Sequence, residues 1–226
     1  MRAILLGPVE ASEHVQKKIF RSLKIQPSDI LVGVDGGTQV WKKYGFNPHF
    51  AVGDWDSLRK KSILAKIRHV TLSRDKERSD LFYAAVAAIE VGADRLCCVG
   101  VTGGRPDHHF SNLCDLGTFA SGAYGKLIQV EAIGEDGTYT FLSTKIPEWK
   151  GKLPLRSIVS IFGHNGGAKG VTLSGFRYFL NDADLKPSSL GVSNLVIQKD
   201  CGVRLKTGQL LVIIPRLTRG PVIRRR

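Results

Sequence analysis

The feature that most constrains this chain is a change of period. From residue 2 to about residue 134, short apolar runs alternate with segments of helical spacing. Beyond about residue 137 only short β-type runs remain. "RAILLG" (2–7) precedes "ASEHVQKKIFRSLKI" (11–25), where Val15, Ile19 and Leu23 fall on one helical face. "DILVGV" (29–34) leads into "GGTQVWKKYG" (36–45), "FAV" (50–52) into "LRKKSILAKIR" (58–68), and "HVTLS" (69–73) into the Ala-rich "SDLFYAAVAAIEVG" (79–92). "RLCCVGV" (95–101), a helical stretch at 103–121 and "KLIQVEAIG" (126–134) close the series. Such alternation predicts an α/β domain, an open and mostly parallel sheet with helices on both faces, over residues 1–140. The later runs, among them "SIVSIFGH" and "GVRLKTGQLLVIIP", are separated by Gly, Asn, Asp and Pro and predict an all-β domain of sandwich type over 141–226.

In a parallel sheet, every strand end that precedes a helix falls on one edge, and ligands bind in the crevice there. Polar clusters stand at these places. "VDGG" carries Asp35, Gly36 and Gly37; "GDWDS" carries Asp54 and Asp56; "SRDKERSD" carries Asp75, Lys76 and Asp80; "TGGRPDHH" carries Gly103, Gly104, Arg105, Asp107 and His108. In an extended chain Asp54 and Asp56 point the same way, whereas on a helix about 200° would separate them. Two carboxylates so placed repel unless a cation lies between them, and hard oxygen ligands suit Mg²⁺.

Each cluster also has a plainer explanation. "GDWDS" could be a polar turn in which Ser57 caps the next helix, and Asp80 could simply complement a helix dipole. Arg105 and Asp107 could be a surface ion pair. The convergence of all four clusters on one edge favours a site, and an electropositive glycine loop beside acids suits a polyphosphate. There is no G-x-G-x-x-G after the first strand, no P-loop, no H-E-x-x-H, no G-x-S-x-G and no kinase signature set. A nucleoside triphosphate with Mg²⁺ is the expected ligand.

Bulk properties bound the remaining classes. The formal charge of +13 would attract polyanions, and it thickens at "PRLTRGPVIRRR" (215–226), read as a solvated tail. Basic–aromatic stacking patterns, zinc knuckles and helix-turn-helix spacing are absent from the sequence, so nucleic acid is the weaker alternative. Four cysteines without C-x-x-C spacing read as reduced, buried thiols of a cytoplasmic protein. No apolar run approaches the ~20 residues of a membrane helix. "MRAILLGP" reaches Gly7 and Pro8 too soon for a secretory segment.

The ordered set "DGG", "GDWDS", "DKERSD" and "GGRPDHH" resembles the thiamine pyrophosphokinase (thiamine diphosphokinase) family of bacterial type, whose pattern runs D-G-G, G-D-[FL]-D-S, D-[KQ]-x-x-T-D, G-G-R-x-D-H. "LSGFRYFLNDADLKPSSLGVSN" (173–194) is similar to a later segment of that family. Trp55 and Ser79 replace the usual Phe or Leu and Thr. The resemblance implies a Rossmann-like catalytic part followed by a β-sandwich, acting as a homodimer. It further implies Mg²⁺-dependent transfer of pyrophosphate from ATP to thiamine, giving thiamine diphosphate and AMP. Asp54, Asp56 and Asp80 would bind the metal and act in catalysis with Arg105, and Asp35, Gly36, Gly37 and Asp75 would belong to the ATP and phosphate site. Arg105, Gly103, Gly104 and Lys76 would hold phosphates, and Asp107 and His108 would orient Arg105 or the nucleotide. Ser193, Asn194 and Tyr178 would contact thiamine across the dimer interface, unless Tyr178 is sandwich core and Ser193–Asn194 a plain turn. A pyrophosphokinase acting on a hydroxymethyl pterin would reuse the same phosphate site.

Overall fold

The computed structural model describes residues 1–124 and 128–216. Lys126 and Leu127 of the expected strand, and the basic end from residue 217, lie outside the described residues. Six short apolar runs form a parallel array in the order β4 (His69–Thr71), β3 (Phe50–Gly53), β2 (Ile30–Val34), β1 (Arg2–Leu6), β5 (Arg95–Val99), β6 (Gln129–Ile133). Because successive strand residues face opposite ways, β1 serves two interiors. Ala3 and Leu5 pack with α3 (Asp80–Glu90) and α4 (Pro106–Ala120). Ile4 and Leu6 pack with α1 (Glu13–Leu23) and α2 (Gly37–Lys43). Cys97 and Cys98 divide between the same two interiors, and all four cysteines are free.

The sheet does not stop at β6. The backbone reverses at residues 134–137, where Gly134 N–H meets the Gly137 carbonyl at 2.9 Å. β7 (Gly137–Ser143) therefore returns antiparallel along β6. The hydrogen-bonded path continues through β13 (Thr207–Pro215), β9 (Ile158–Ser174), β12 (Asp200–Arg204) and β8 (Glu148–Lys152), all antiparallel. β10 (Ala183–Leu185) and β11 (Asn194–Leu195) add to β9. The whole is thus a mixed sheet, parallel where helices connect the strands and antiparallel in the strand-rich part that follows. β9 is long enough to pair on several sides because Gly166, Gly167 and Gly170 take positive φ within it. Along β13, Leu210 and Val212 enter a second interior with Val159, Ile161 and Leu173, while Leu211 enters the helical one.

One expected helix is different. Residues 58–68 hold only a 3-10 helix, Lys61–Lys66. The segment's basic residues have no acidic partner within it, which weakens an α-helix. Leu58, Leu64 and Ile67 instead gather round Trp55. Among the described residues no helix is long and apolar enough to cross a membrane.

Candidate active site

The acidic side of the site begins where β2 ends. Asp35 adopts a left-handed φ of 46°, its N–H donating to the Val52 carbonyl at 2.9 Å. Ser57, considered above as a helix cap, has another role. Its hydroxyl donates to Asp35 Oδ2, its N–H reaches the same oxygen at 3.2 Å, and its Oγ accepts the Gly36 N–H at 3.0 Å. Gly36 and Gly37 are glycines for reasons of space. A Cβ on Gly37 would lie 1.7 Å from the Leu6 carbonyl oxygen, so α2 can start against β1 only without a side chain there.

β3 ends at Gly53, and the extended alternation expected to align Asp54 with Asp56 ends with it. A left-handed turn at Trp55, φ 64°, brings the two carboxylates together instead. The turn is anchored: the indole is buried and its Nε1–H donates to Thr71 Oγ1 at 2.8 Å. The Asp56 N–H donates to Asp54 Oδ1 at 3.2 Å. As a result, carboxylate oxygens of Asp35, Asp54 and Asp56 lie within 4.8 Å of one another.

Lys76 is the cation on this side. Its Nζ donates to Asp54 Oδ2 at 2.6 Å and lies 3.3 Å from Asp80 Oδ1. Burial opposes ionisation of Asp54, but Lys76 and the Asp56 N–H outweigh it and hold the carboxyl below its usual range. Asp80 goes the other way. Burial pushes it up to about 6, with Lys76 opposing and the Asp54 charge adding. Burial also raises Asp35, against the hydrogen bonds from Ser57 and Gly36. Asp35 Oδ1 and Asp80 Oδ1 are both buried without a hydrogen-bond partner. Among the described residues Lys76 answers only Asp54 and Asp80, Asp35 Oδ1 has no partner, and three carboxylates converge, so the acids make a donor set that suits a hard divalent cation. Asp80 is also the first residue of α3, capped by Ser79, whose Oγ accepts the Phe82 N–H and donates to Asp115. The helix-start and site explanations of Asp80 hold together.

The opposite side is the turn into α4. Gly103 and Gly104 take φ of 81° and 63°, and Pro106 opens the helix. The Arg105 guanidinium grips Asp107 through Nη2–H to Oδ2 at 2.6 Å and Nε–H to Oδ1 at 3.2 Å, both side chains in solvent. That contact pulls Asp107 down to about 2.

A cleft of about 610 Å³ lies between the two sides. Asp35, Asp54, Asp56, Lys76 and Asp80 line it from the acidic side, and Gly103, Arg105 and His108 from the other. Asp75, Gly36, Gly37, Gly104 and Asp107 do not line it, although each adjoins a residue that does or stands one turn away. The cleft also takes Gly7, Arg74, Arg78, Ser111 and Asn112, which sequence reading missed. Arg74 and Arg78 sit in the charged turn around Lys76. Asn112 lies four residues beyond His108, a helical spacing that could have found it. Another hollow of about 560 Å³, over β8 and β12, is lined by none of the expected residues.

The expected thiamine contacts lie apart from the cleft. Asn194 is buried and its amide is spent on the backbone of Tyr178, accepting the N–H at 2.9 Å and donating to the carbonyl at 2.6 Å. Tyr178 is 58% exposed, so it is not core. Ser193 takes a left-handed φ of 57°, its N–H donating to Ser160 Oγ at 3.0 Å.

Comparison with known proteins bears on this arrangement. Residues 22–123 match the family model described as "Thiamin pyrophosphokinase, catalytic domain", and residues 144–212 match "Thiamin pyrophosphokinase, vitamin B1 binding domain". Thiamine pyrophosphokinase of Bacillus subtilis is 36% identical over 87 residues, and the match takes in 36% of this chain and 40% of that relative's length. The crystal structure of thiamine pyrophosphokinase from B. subtilis superposes with a TM-score of 0.76 at 24% identity, covering 96% of this chain and 99% of the other. That of Geobacillus thermodenitrificans gives 0.76 at 23% identity, over 97% and 99%. Thiamin pyrophosphokinase from Candida albicans gives 0.71 at 13% identity, over 95% and 89%. At these identities the structural likeness is one of fold.

Proposed function

This chain belongs to the thiamin pyrophosphokinase family, and on that premise we propose that its cleft transfers the terminal pyrophosphoryl group of ATP to the hydroxyl of thiamine. The hydroxyl oxygen attacks the β-phosphorus, the bond from that phosphorus to the α-phosphate oxygen breaks, AMP leaves, and the hydroxyl proton is released to water. Products are thiamine diphosphate and AMP. One observation carries the reading: the three carboxylates within 4.8 Å, with Lys76 bonded among the acids, share one cleft with Arg105 and the Gly103 turn on its other side. That is the layout a polyphosphate with a divalent cation requires.

Asp35, Asp54 and Asp56 would hold Mg²⁺, with Asp80 beside them. When bound, the cation supplies positive charge to the phosphate oxygens as charge develops on them. Lys76 and Arg105 neutralise and orient phosphates, and the turn before α4 offers backbone N–H groups. His108 faces the cleft from the first turn of α4, and Asp107 presets the Arg105 guanidinium.

Duties divide near residue 140. A Rossmann-like catalytic part at 1–140 binds the nucleotide, and the strand-rich part from 141, a β-sandwich in the described residues, binds thiamine and dimerises. Since Tyr178, Ser193 and Asn194 lie away from the acids, a homodimer delivering them to the partner's cleft supports their assignment to thiamine. Exposed Tyr178, Phe179, Leu190, Val192 and Ile197, close together in sequence, support an apolar dimer face. Free thiols suit a reducing, cytoplasmic setting. The family models favour thiamine over a pterin acceptor or nucleic acid.

The test is direct. The protein is incubated with Mg²⁺, ATP and thiamine and the products are separated by chromatography. AMP and thiamine diphosphate in equal amounts are expected; ADP with thiamine monophosphate would overturn the reading.

A further inference from the structure

Gly103 lines the cleft, yet its own N–H faces away from it. That N–H donates to Nδ1 of His109 at 2.9 Å. His109 sits in the first turn of α4 and reaches back past Arg105, much as a capping-box side chain does. To accept there, Nδ1 must carry the lone pair, so the ring proton is on Nε2. The ring is fixed from behind. It meets Tyr139 edge-on, centroids 5.5 Å apart; Asp136 Oδ2, 3.6 Å from Nδ1, makes no hydrogen bond to it and acts on the ring through Tyr139.

Asp136 is in turn held on both oxygens. Oδ1 accepts the Thr102 hydroxyl at 3.0 Å and Oδ2 the Tyr139 hydroxyl at 2.6 Å. Gly134 makes room for this: a Cβ there would lie 2.1 Å from Thr102 Oγ1 and 2.4 Å from Asp136 Oδ1. Thr102 leads into the glycine turn, and Tyr139 lies on β7, so the network ties the turn to the strand that begins the second part of the fold.

We infer that His109, packed against the Tyr139 ring that Asp136 holds by its hydroxyl, is a positioning residue that sets the turn Gly103–Gly104–Arg105 for a nucleotide polyphosphate, and so governs ATP affinity more than turnover. This rests on the functional reading above. Two glycines in left-handed torsions have many competing conformations, and one side-chain acceptor selects among them. His109 touches no cleft-facing atom of the acidic side, so its loss leaves the acids in place.

The test measures ATP binding with Mg²⁺ by calorimetry, together with kcat and the KM for ATP and for thiamine. His109→Phe keeps an aromatic ring against Tyr139 and removes the acceptor. It should weaken ATP binding and raise the ATP KM about five- to tenfold, the worth of one hydrogen bond. The kcat and the thiamine KM should stay within about twofold on the same reasoning. His109→Asn places an oxygen near the Nδ1 position and should recover most of the affinity. Tyr139→Phe should weaken ATP binding about threefold by loosening Asp136. Unchanged ATP binding in His109→Phe, or a fall in kcat at constant ATP KM, would sink the inference while leaving the function intact. A wild-type chain that binds no ATP would sink the functional reading, and the inference with it.

Discussion

On one wall of the cleft, Asp35, Asp54 and Asp56 are held by left-handed backbone at Asp35 and Trp55, a buried indole and a serine clamp. On the other, Arg105 and Asp107 stand in solvent and hold chiefly each other. The acidic wall stores its cost in the fold: crowded carboxylates, with Asp35 Oδ1 left without a partner, can be kept together only where the backbone leaves no alternative. The basic wall is restrained at its turn, where His109 holds Gly103, and its exposed guanidinium is left for a phosphate to organise on arrival. Under the proposed function, the contrast leads us to expect that the acids set the rate and the arginine the affinity.

The strongest way to break that comparison is Asp54→Asn. It should lower kcat by about a hundredfold or more, with an unchanged near-UV circular dichroism spectrum. Wild-type turnover in that variant would remove the acidic wall from the chemistry. Arg105→Ala should raise the ATP KM about tenfold while kcat falls less, since charge-assisted hydrogen bonds to phosphate are lost. Steady-state kinetics at varied ATP decides it, and a loss confined to kcat would reverse the roles of the two walls.

Titration sharpens the contrast further. Asp80 rises from its ordinary 3.8 to about 6 because it is buried. Between about pH 4 and pH 6 the native state therefore keeps a proton that the unfolded chain has released, and stability falls as pH rises through that window. With divalent cations chelated, wild type should lose stability relative to Asp80→Asn across that range, as read by urea midpoints. Parallel pH profiles would show that the carboxyl is not strained. The smallest effect belongs to the exposed wall. Asp107→Asn should leave the urea midpoint essentially unchanged, because a solvent-exposed ion pair contributes little.

Much of this arrangement was legible in the chain, and the parts that were not have physical reasons. Alternating periods marked the six parallel strands, and the polar residues just beyond Val34, Gly53 and Val101 marked the edge where the cleft lies. What brings Asp54 to Asp56 was misread, since a left-handed turn at a tryptophan leaves no periodic trace and depends on Thr71 sixteen residues away. Ser57 reads locally as a cap, but its partner Asp35 is distant in sequence. The glycines at 36 and 37 suggest a phosphate turn, yet Gly37 answers to the Leu6 carbonyl. His109 looks like one more residue of "DHHF" until the backbone folds it onto Gly103. Pattern reports what neighbours in sequence do; it is silent about long-range contacts between single atoms.

The ladder shared by β7 and β13 limits how the molecule can be taken apart. Phe141 and Leu211 supply part of the lining of the helical interior, while Leu142 and Leu210, one step along the same strands, belong to the other. A chain cut after residue 140 would expose Leu116, Phe119 and Val130 to water, so the seam that separates two duties is not a seam along which the protein can be divided. Heating should melt both halves at a single temperature, because β7 and β13 are each built into both interiors at once.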